Sequence, residues 1–289
     1  MNSDTNKKMT KEERIAVFQN TIKITQKGRY ISPNGTEINI NNEDMMKRTK
    51  IYTENPKIDF DSLTPFNTNV KVINQDCLVA AKELENPVVL NMASFIRPGG
   101  GVEKGSAAQE ENVFRRTNLF MALYQFDKIG EKYNIKTIKQ NYPLQRNLTG
   151  LYTPNVTVFR DTENNDYEYL EKPYKISVIT LPAIKEPKLD DNGKLKPSYA
   201  EAYEQKIKQI LSIAIDNKHT NIVLSAFGCG AYKTPPTEIA QLFKKILRND
   251  QFRGKFKNVV FAIIDDNNTH QKHNPNGNLK PFLNAFNNN

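Results

Sequence analysis

The sequence predicts a layered α/β/α domain preceded by an N-terminal helical extension. Three observations lead there. Short apolar runs of strand length recur along the chain, amphipathic helical stretches alternate with them, and a polar, Pro-punctuated segment separates the first helix from the rest. With 289 residues, 38% of them hydrophobic, the chain has the material for a substantial core.

Taken in order, Lys11 to Lys27 carries Ile15, Phe18, Ile22 and Ile24 near helical spacing and ends on Gly28, a fitting helix stop. From Gly28 to about Thr68 the text is Asn-rich with one short alternating run, and reads as an irregular connector. Residues 1–68 are therefore expected to form an extension packing on a main domain of residues 69–289. That domain opens with a strand at Val70 to Ile73, a helix over Leu78 to Leu84 and a fully apolar strand at Val88 to Leu90. A helix over Glu111 to Phe126, strands at Val156 to Phe159 and Ile176 to Leu181, and a helix over Tyr199 to Asn217 follow. A buried strand at Asn221 to Ser225, a helix opening at Pro236 and a strand at Asn258 to Ile264 complete the pattern. Leu189 to Ser198 reads as a loop, and the Asn-rich last twenty residues as a loosely ordered tail.

Composition narrows the function classes. No run approaches the length of a membrane helix, and the polar start lacks the apolar stretch of a signal peptide, so a cytoplasmic protein, or a nuclear one in a eukaryote, is expected. Cys77 and Cys229 give neither a disulfide framework nor zinc-ligand spacing, and neither metal nor cofactor is expected. His219, His270 and His273 read as surface residues without chemistry. The net charge of +9 suits a polyanionic ligand, but equally a solvated surface, and no motif that reads DNA or RNA is present.

The chemistry concentrates between Arg97 and Arg116. Gly99, Gly100 and Gly101 let the backbone approach a ligand with N–H groups exposed, although alone they fit a flexible turn as well. Ser106-x-x-Gln109 reads as a capping box that starts a helix, placing Glu110 and Glu111 in its first turn beside the glycines. Acidic residues there also suit the helix dipole. Next to a bound diphosphate, however, paired carboxylates repel and favour a proton on one of them, as a general acid requires. A second glycine loop, Phe227-Gly228-Cys229-Gly230-Ala231-Tyr232, follows the late apolar strand and offers successive amides to an anion, or a plain turn. Cys229 lies between its glycines with no basic partner in view, and reads as packing.

The run PGGGVEKGSAAQEENVFRRTNLF, with GGG followed after seven residues by QEE, resembles the bacterial-type poly(ADP-ribose) glycohydrolases. Asp76-Cys77, the LNMAS run, SAFGCGAY and the opening ERIAVFQNTIKITQKGRY strengthen the resemblance, which extends over nearly the whole chain. It implies a macrodomain with a mixed central sheet and hydrolysis of ribose–ribose O-glycosidic bonds in poly(ADP-ribose) or on ADP-ribosylated proteins, with ADP-ribose as product. It further implies that Asp76 bonds the adenine amino group, with Cys77 beside it, and that Gly99 to Val102 line the distal ribose and diphosphate. Gln109 and Glu110 would fix the scissile ribose and Glu111 would act as acid and then base. Phe227 would pack near the distal ribose and Gly228 to Tyr232 would wrap the diphosphate. Asn91 and Ser94 also fall near the distal ribose, Ser94 standing where related macrodomains often carry asparagine. A monomer needing neither membrane nor nucleic acid is the expected working form. An ADP-ribose reader and a hydrolase of single ADP-ribose units are the rival functions.

Overall fold

A computed structural model gives the structure of the chain and describes residues 9–144, 148–265 and 269–287. In chain order the elements are α1 (Lys11–Lys27), β1 (Arg29–Ile31), β2 (Glu37–Asn39), α2 (Glu43–Lys47), β3 (Lys50–Tyr52), β4 (Asn69–Ile73), α3 (Cys77–Lys82) and β5 (Val88–Ala93). They continue with α4 (Gln109–Arg116), α5 (Leu119–Leu123), β6 (Gly150–Arg160), β7 (Tyr169–Pro182), α6 (Pro197–Asp216), β8 (Asn221–Leu224), α7 (Pro236–Arg248), β9 (Asn258–Ala262) and α8 (Leu279–Asn287). The chain divides into two compact units: Met1–Thr49 with Ile96–Pro143 and Thr153–Ile176, and Lys50–Phe95 with Leu144–Tyr152 and Ser177–Asn289.

In the first unit, α1 spans the predicted residues because both ends are capped. The Thr10 side chain accepts the Glu13 N–H, the Glu13 carboxylate accepts the Thr10 N–H, and Gly28 closes the helix at φ 74°. Residues 28–49, expected to be irregular, instead form the antiparallel β1–β2 hairpin and α2. Tyr30 of this hairpin packs on Phe159 and Tyr169, whose ring centroids lie 5.9 and 5.0 Å away. The helix expected over 111–126 starts two residues earlier, at Gln109, and is broken at Thr117. The Thr117 hydroxyl donates back to the Val113 carbonyl at 2.8 Å, its backbone turns extended, and it bridges to Val158. Phe18, Phe114, Phe120 and Tyr124 fill the core beneath, with successive centroids 5.7 to 6.4 Å apart.

The strands form a seven-stranded mixed sheet, ordered β3-β6-β7-β5-β8-β9-β4, of which β3, β4, β5, β8 and β9 lie wholly in the second unit. From β7 through β5, β8 and β9 to the edge strand β4 each successive pair is parallel, while the other edge strand β3, drawn from the expected connector, pairs antiparallel with β6. Alternation along the strands sends Val88, Leu90, Ile222, Leu224, Val259 and Phe261 into one core with α6 and α7, and leaves Val89, Val223 and Val260 for the other face. There α3 packs on β5, β8 and β9, giving the three-layer order. Two expectations fail in this unit. The tail is not loose: Phe282 and Ala285 of α8 are fully buried, Phe282 lying 5.2 Å from Phe261 and 6.5 Å from Phe243 between ring centroids. Nor is His219 a surface residue; it is buried, bonds the Tyr152 hydroxyl at 2.8 Å and the Asn86 carbonyl at 2.9 Å, and burial pushes its pKa down. A polar segment hides such residues from periodicity because their partners are distant in sequence.

Truncating Phe282→Ala should lower unfolding stability by roughly 3–5 kcal/mol in denaturant melts, a loss that a loose tail would not show. Lys206 on α6 is buried, which pushes its pKa down from 10.5 to about 8. Between those values the unfolded chain holds a proton that the folded chain has released, so this group adds stability as pH rises from about 8 to 10.5. Lys206→Met is expected to stabilise the protein at pH 7 by on the order of 3 kcal/mol and to abolish that rise, read as the difference between paired melts.

Candidate active site

In the first unit the glycine loop is a tight coil that feeds α4. The Val102 N–H donates to the Gly99 carbonyl at 2.9 Å and the Ser106 N–H to the Gly101 carbonyl at 3.2 Å, while Gly99 and Gly100 take φ of 77° and 52°. The expected capping box is absent. Ala108 occupies the N-cap without a side-chain bond, and the Ser106 carbonyl is held from outside by the Arg115 guanidinium, which keeps Ser106 in the loop. The helix still begins in time to put Gln109, Glu110 and Glu111 in its first turn.

Both carboxylates fold back onto the loop. The Gly99 N–H donates to Glu110 Oε1 at 3.0 Å and the Gly101 N–H to Glu111 Oε1 at 2.8 Å. Both side chains are buried, and Glu111 Oε2 has no hydrogen-bond partner among the described residues. The packing leaves no room at Gly100, where a Cβ would lie 2.6 Å from Glu111 Oε1 and 3.0 Å from Glu110 Oε2. At Gly99 it would press on the Phe114 ring at 2.6 Å. Val102 is buried directly after the glycines.

Two buried arginines lock the other end of α4. Arg115 Nε donates to the Arg14 carbonyl at 3.2 Å, Arg116 Nε to the Arg160 carbonyl at 3.2 Å, and the Thr21 hydroxyl to the Arg115 carbonyl at 2.6 Å. Burial pushes the Arg115 pKa down from its ordinary value. The sequence signal of this pair is two adjacent arginines in a helix otherwise amphipathic, four and five residues after Glu111, which apolar periodicity does not single out.

The second unit holds the remaining candidates. Asp76 caps α3, its Oδ1 accepting from Leu78 and Val79 N–H at 2.9 and 3.0 Å, and Cys77 is buried as the first helical residue. Asn91 is fully buried in β5, its amide 3.3 Å from the Thr180 hydroxyl, and Ser94 is half-buried just past the strand end.

The second glycine loop turns at Gly228, φ 82°, where a Cβ would lie 2.5 Å from the Tyr203 hydroxyl. Phe227 is fully buried, edge-on to Tyr203 at 5.9 Å, and Cys229 is fully buried. Burial pushes the Cys229 thiol up, away from the thiolate that a nucleophile needs. Gly230 is half-buried and Ala231 exposed. The Tyr232 hydroxyl accepts the Phe95 N–H at 3.2 Å. The N–H groups of Gly228, Gly230 and Ala231 make no hydrogen bond among the described residues. Three unspent amides on a loop of small residues form a cradle for an anion. Among the described residues, no cluster of acids, histidines and cysteines could hold a metal ion, and no helix is long and apolar enough to cross a membrane.

The chain is similar to known proteins in sequence and in fold. The catalytic-domain model of microbial-type poly(ADP-ribose) glycohydrolases (PARG) matches residues 18–161, which include the first glycine loop and both glutamates. The structure is similar to that of poly(ADP-ribose) glycohydrolase from Thermomonospora curvata bound to the inhibitor ADP-HPD: TM-score 0.77 and 26% identity, covering 95% of this chain and 100% of that one. It is also similar to the Deinococcus radiodurans enzyme in complex with ADP-ribose, with TM-score 0.64 and 25% identity over 84% of this chain and 96% of that one. No curated protein sequence matches. Fold, paired glutamates and family match agree, and the chain belongs to the microbial-type poly(ADP-ribose) glycohydrolases.

Proposed function

We propose that the protein cleaves the ribose–ribose O-glycosidic bonds of poly(ADP-ribose), with Glu111 as the acid and then the base. The observation that carries this reading is the asymmetry of the Glu111 carboxyl. Oε1 is pinned by the Gly101 N–H, while Oε2 is buried and unspent, so one oxygen is oriented and the other is free to exchange a proton.

Protonated Oε2 donates to the leaving ribose oxygen as its bond to the anomeric carbon breaks, leaving an oxocarbenium-like centre. The Glu111 carboxylate then takes a proton from water as the water oxygen bonds that carbon, and the acid is restored. Glu110, fixed by Gly99, and Gln109 orient the ribose at the scissile bond, with Gly99 to Val102 forming the wall beside it. Gly228 to Tyr232 hold the diphosphate through their amides, and the negative charge of that group stabilises the developing cation. Asp76 and Cys77 take the adenine, and Asn91, Ser94 and Phe227 shape the surroundings of the distal ribose. Poly(ADP-ribosyl)ated proteins are the substrate, and a single copy of the chain performs the reaction.

Glu111→Gln keeps the shape of the side chain and removes the acid. Release of ADP-ribose from auto-modified, poly(ADP-ribosyl)ated protein should fall by roughly 10²–10⁴-fold, with ADP-ribose affinity little changed. Wild type that binds ADP-ribose tightly but releases none would instead establish a reader, and undiminished activity in the variant would move the acid to Glu110.

Gly100→Ala should act through the same pair. Its Cβ displaces both carboxylates and meets a φ of 52°, so kcat should drop more than about tenfold. The unfolding free energy should fall by more than about 1 kcal/mol, with the protein still folded at room temperature. A variant with unchanged kcat would show that the glycine does not set the acid's position.

A further inference from the structure

We infer that His273 and Asn274 are positioning residues for the second glycine loop: together they clamp the Cys229 carbonyl and thereby set the direction of the Gly230 N–H. The inference rests on the reading of Gly228 to Tyr232 as the diphosphate site. His273 Nε2 lies 2.8 Å from the Cys229 carbonyl oxygen and Asn274 Nδ2 lies 3.2 Å from it. Both are donors when the imidazole carries its proton on Nε2, so the two lone pairs of that oxygen are filled.

A trans peptide points its C=O and the next N–H in opposite directions. Holding the Cys229 carbonyl toward residues 273 and 274 therefore aims the Gly230 N–H away from them, and this N–H is one of the three unspent amides of the loop. Without the clamp, a peptide joined to glycine can flip at little steric cost. A flip would present a carbonyl oxygen where the diphosphate needs a donor, turning an attraction into a repulsion.

The clamp is tied to the core rather than to a loose end. Asn274 Nδ2 also donates to Asn278 Oδ1 at 2.9 Å, and Asn274 Oδ1 accepts the Gln271 N–H at 2.9 Å. Asp265, just beyond β9, accepts the Asn278 and Leu279 N–H groups at 2.7 and 3.1 Å. Gly277 permits this approach, since a Cβ there would overlap the Asp265 carboxylate. From Leu279 the chain enters α8, whose Phe282 and Ala285 are buried. The ordering cost of the loop is thus met on folding and not on binding.

Asn274 is buried, so the test uses half-buried His273. Dissociation constants for ADP-ribose and for adenosine, kcat and KM on the polymer, and the melting temperature are measured for wild type, His273→Ala and His273→Gln. Loss of one oriented donor to a diphosphate should raise the ADP-ribose Kd and the KM about tenfold in His273→Ala. The adenosine Kd and kcat should stay within about twofold, and His273→Gln, whose amide restores a donor, should recover most of the loss.

An unchanged preference for ADP-ribose over adenosine in His273→Ala overturns the clamp while leaving the diphosphate reading in place. A wild type with no such preference defeats that reading, and the clamp with it. Equal weakening of both ligands with a lowered melting temperature, or a glutamine variant no better than alanine, shows a merely structural residue.

Discussion

The packing of α4 against the first glycine loop depends on one steric allowance, the missing Cβ at Gly100. Two carboxylates crowd that position, at 2.6 and 3.0 Å from where a Cβ would stand, and each reaches a neighbouring amide of the same loop. Burying carboxyl groups is costly unless their oxygens are hydrogen-bonded, and here the loop supplies one donor to each, leaving Glu111 Oε2 without a partner among the described residues. The glycines thus do more than let a ligand approach. They let the backbone bind the acids, and the acids in turn fix the loop.

That mutual hold requires α4 itself to stay in register, and an eight-residue helix with no side-chain cap has little stability of its own. Arg115 and Arg116 supply what is missing. Each guanidinium is almost completely buried and spends donors on backbone carbonyls, those of Arg14, Ser106 and Arg160. A fork of rigid donors against several carbonyls fixes orientation better than a pair of flexible charges would. Through Arg14 and Thr21, α1 becomes part of the support for α4. The extension at the chain start therefore has a physical task, since removing α1 would leave guanidinium donors buried without acceptors.

Periodic elements with local caps were legible from residues alone: α1 matches its predicted span because Thr10, Glu13 and Gly28 are adjacent in sequence to what they cap. The strands β5 and β8 were legible as short apolar runs, because parallel strands buried on both faces show little alternation, whereas β4 was legible from its β-branched residues around Lys71. What escaped was decided by distant partners. The break at Thr117 depends on Val158, the order of the tail on Phe243 and Phe261, and the burial of His219 on Tyr152 and Asn86. The capping box failed for a similar reason, because Arg115 holds Ser106 outside the helix. The glutamate pair was visible as a motif, yet its fixation by the glycine amides required coordinates. Motif spacing records which groups are present; the allocation of hydrogen bonds among them is a property of the folded chain.

That allocation separates the two glycine loops, which look alike in sequence. In the first, the amides of Gly99 and Gly101 are spent on Glu110 and Glu111, so the loop serves the acids. In the second, the amides of Gly228, Gly230 and Ala231 are unspent while the Cys229 carbonyl is doubly bonded, so the loop keeps donors available and that acceptor occupied. An amide already bonded to a carboxylate has little left to offer a phosphate, whereas a preorganised, unbonded one gives its full electrostatic attraction when the ligand arrives. With its amides bonded to carboxylates the first loop suits the holding of acids, and with unspent amides the second suits an anion.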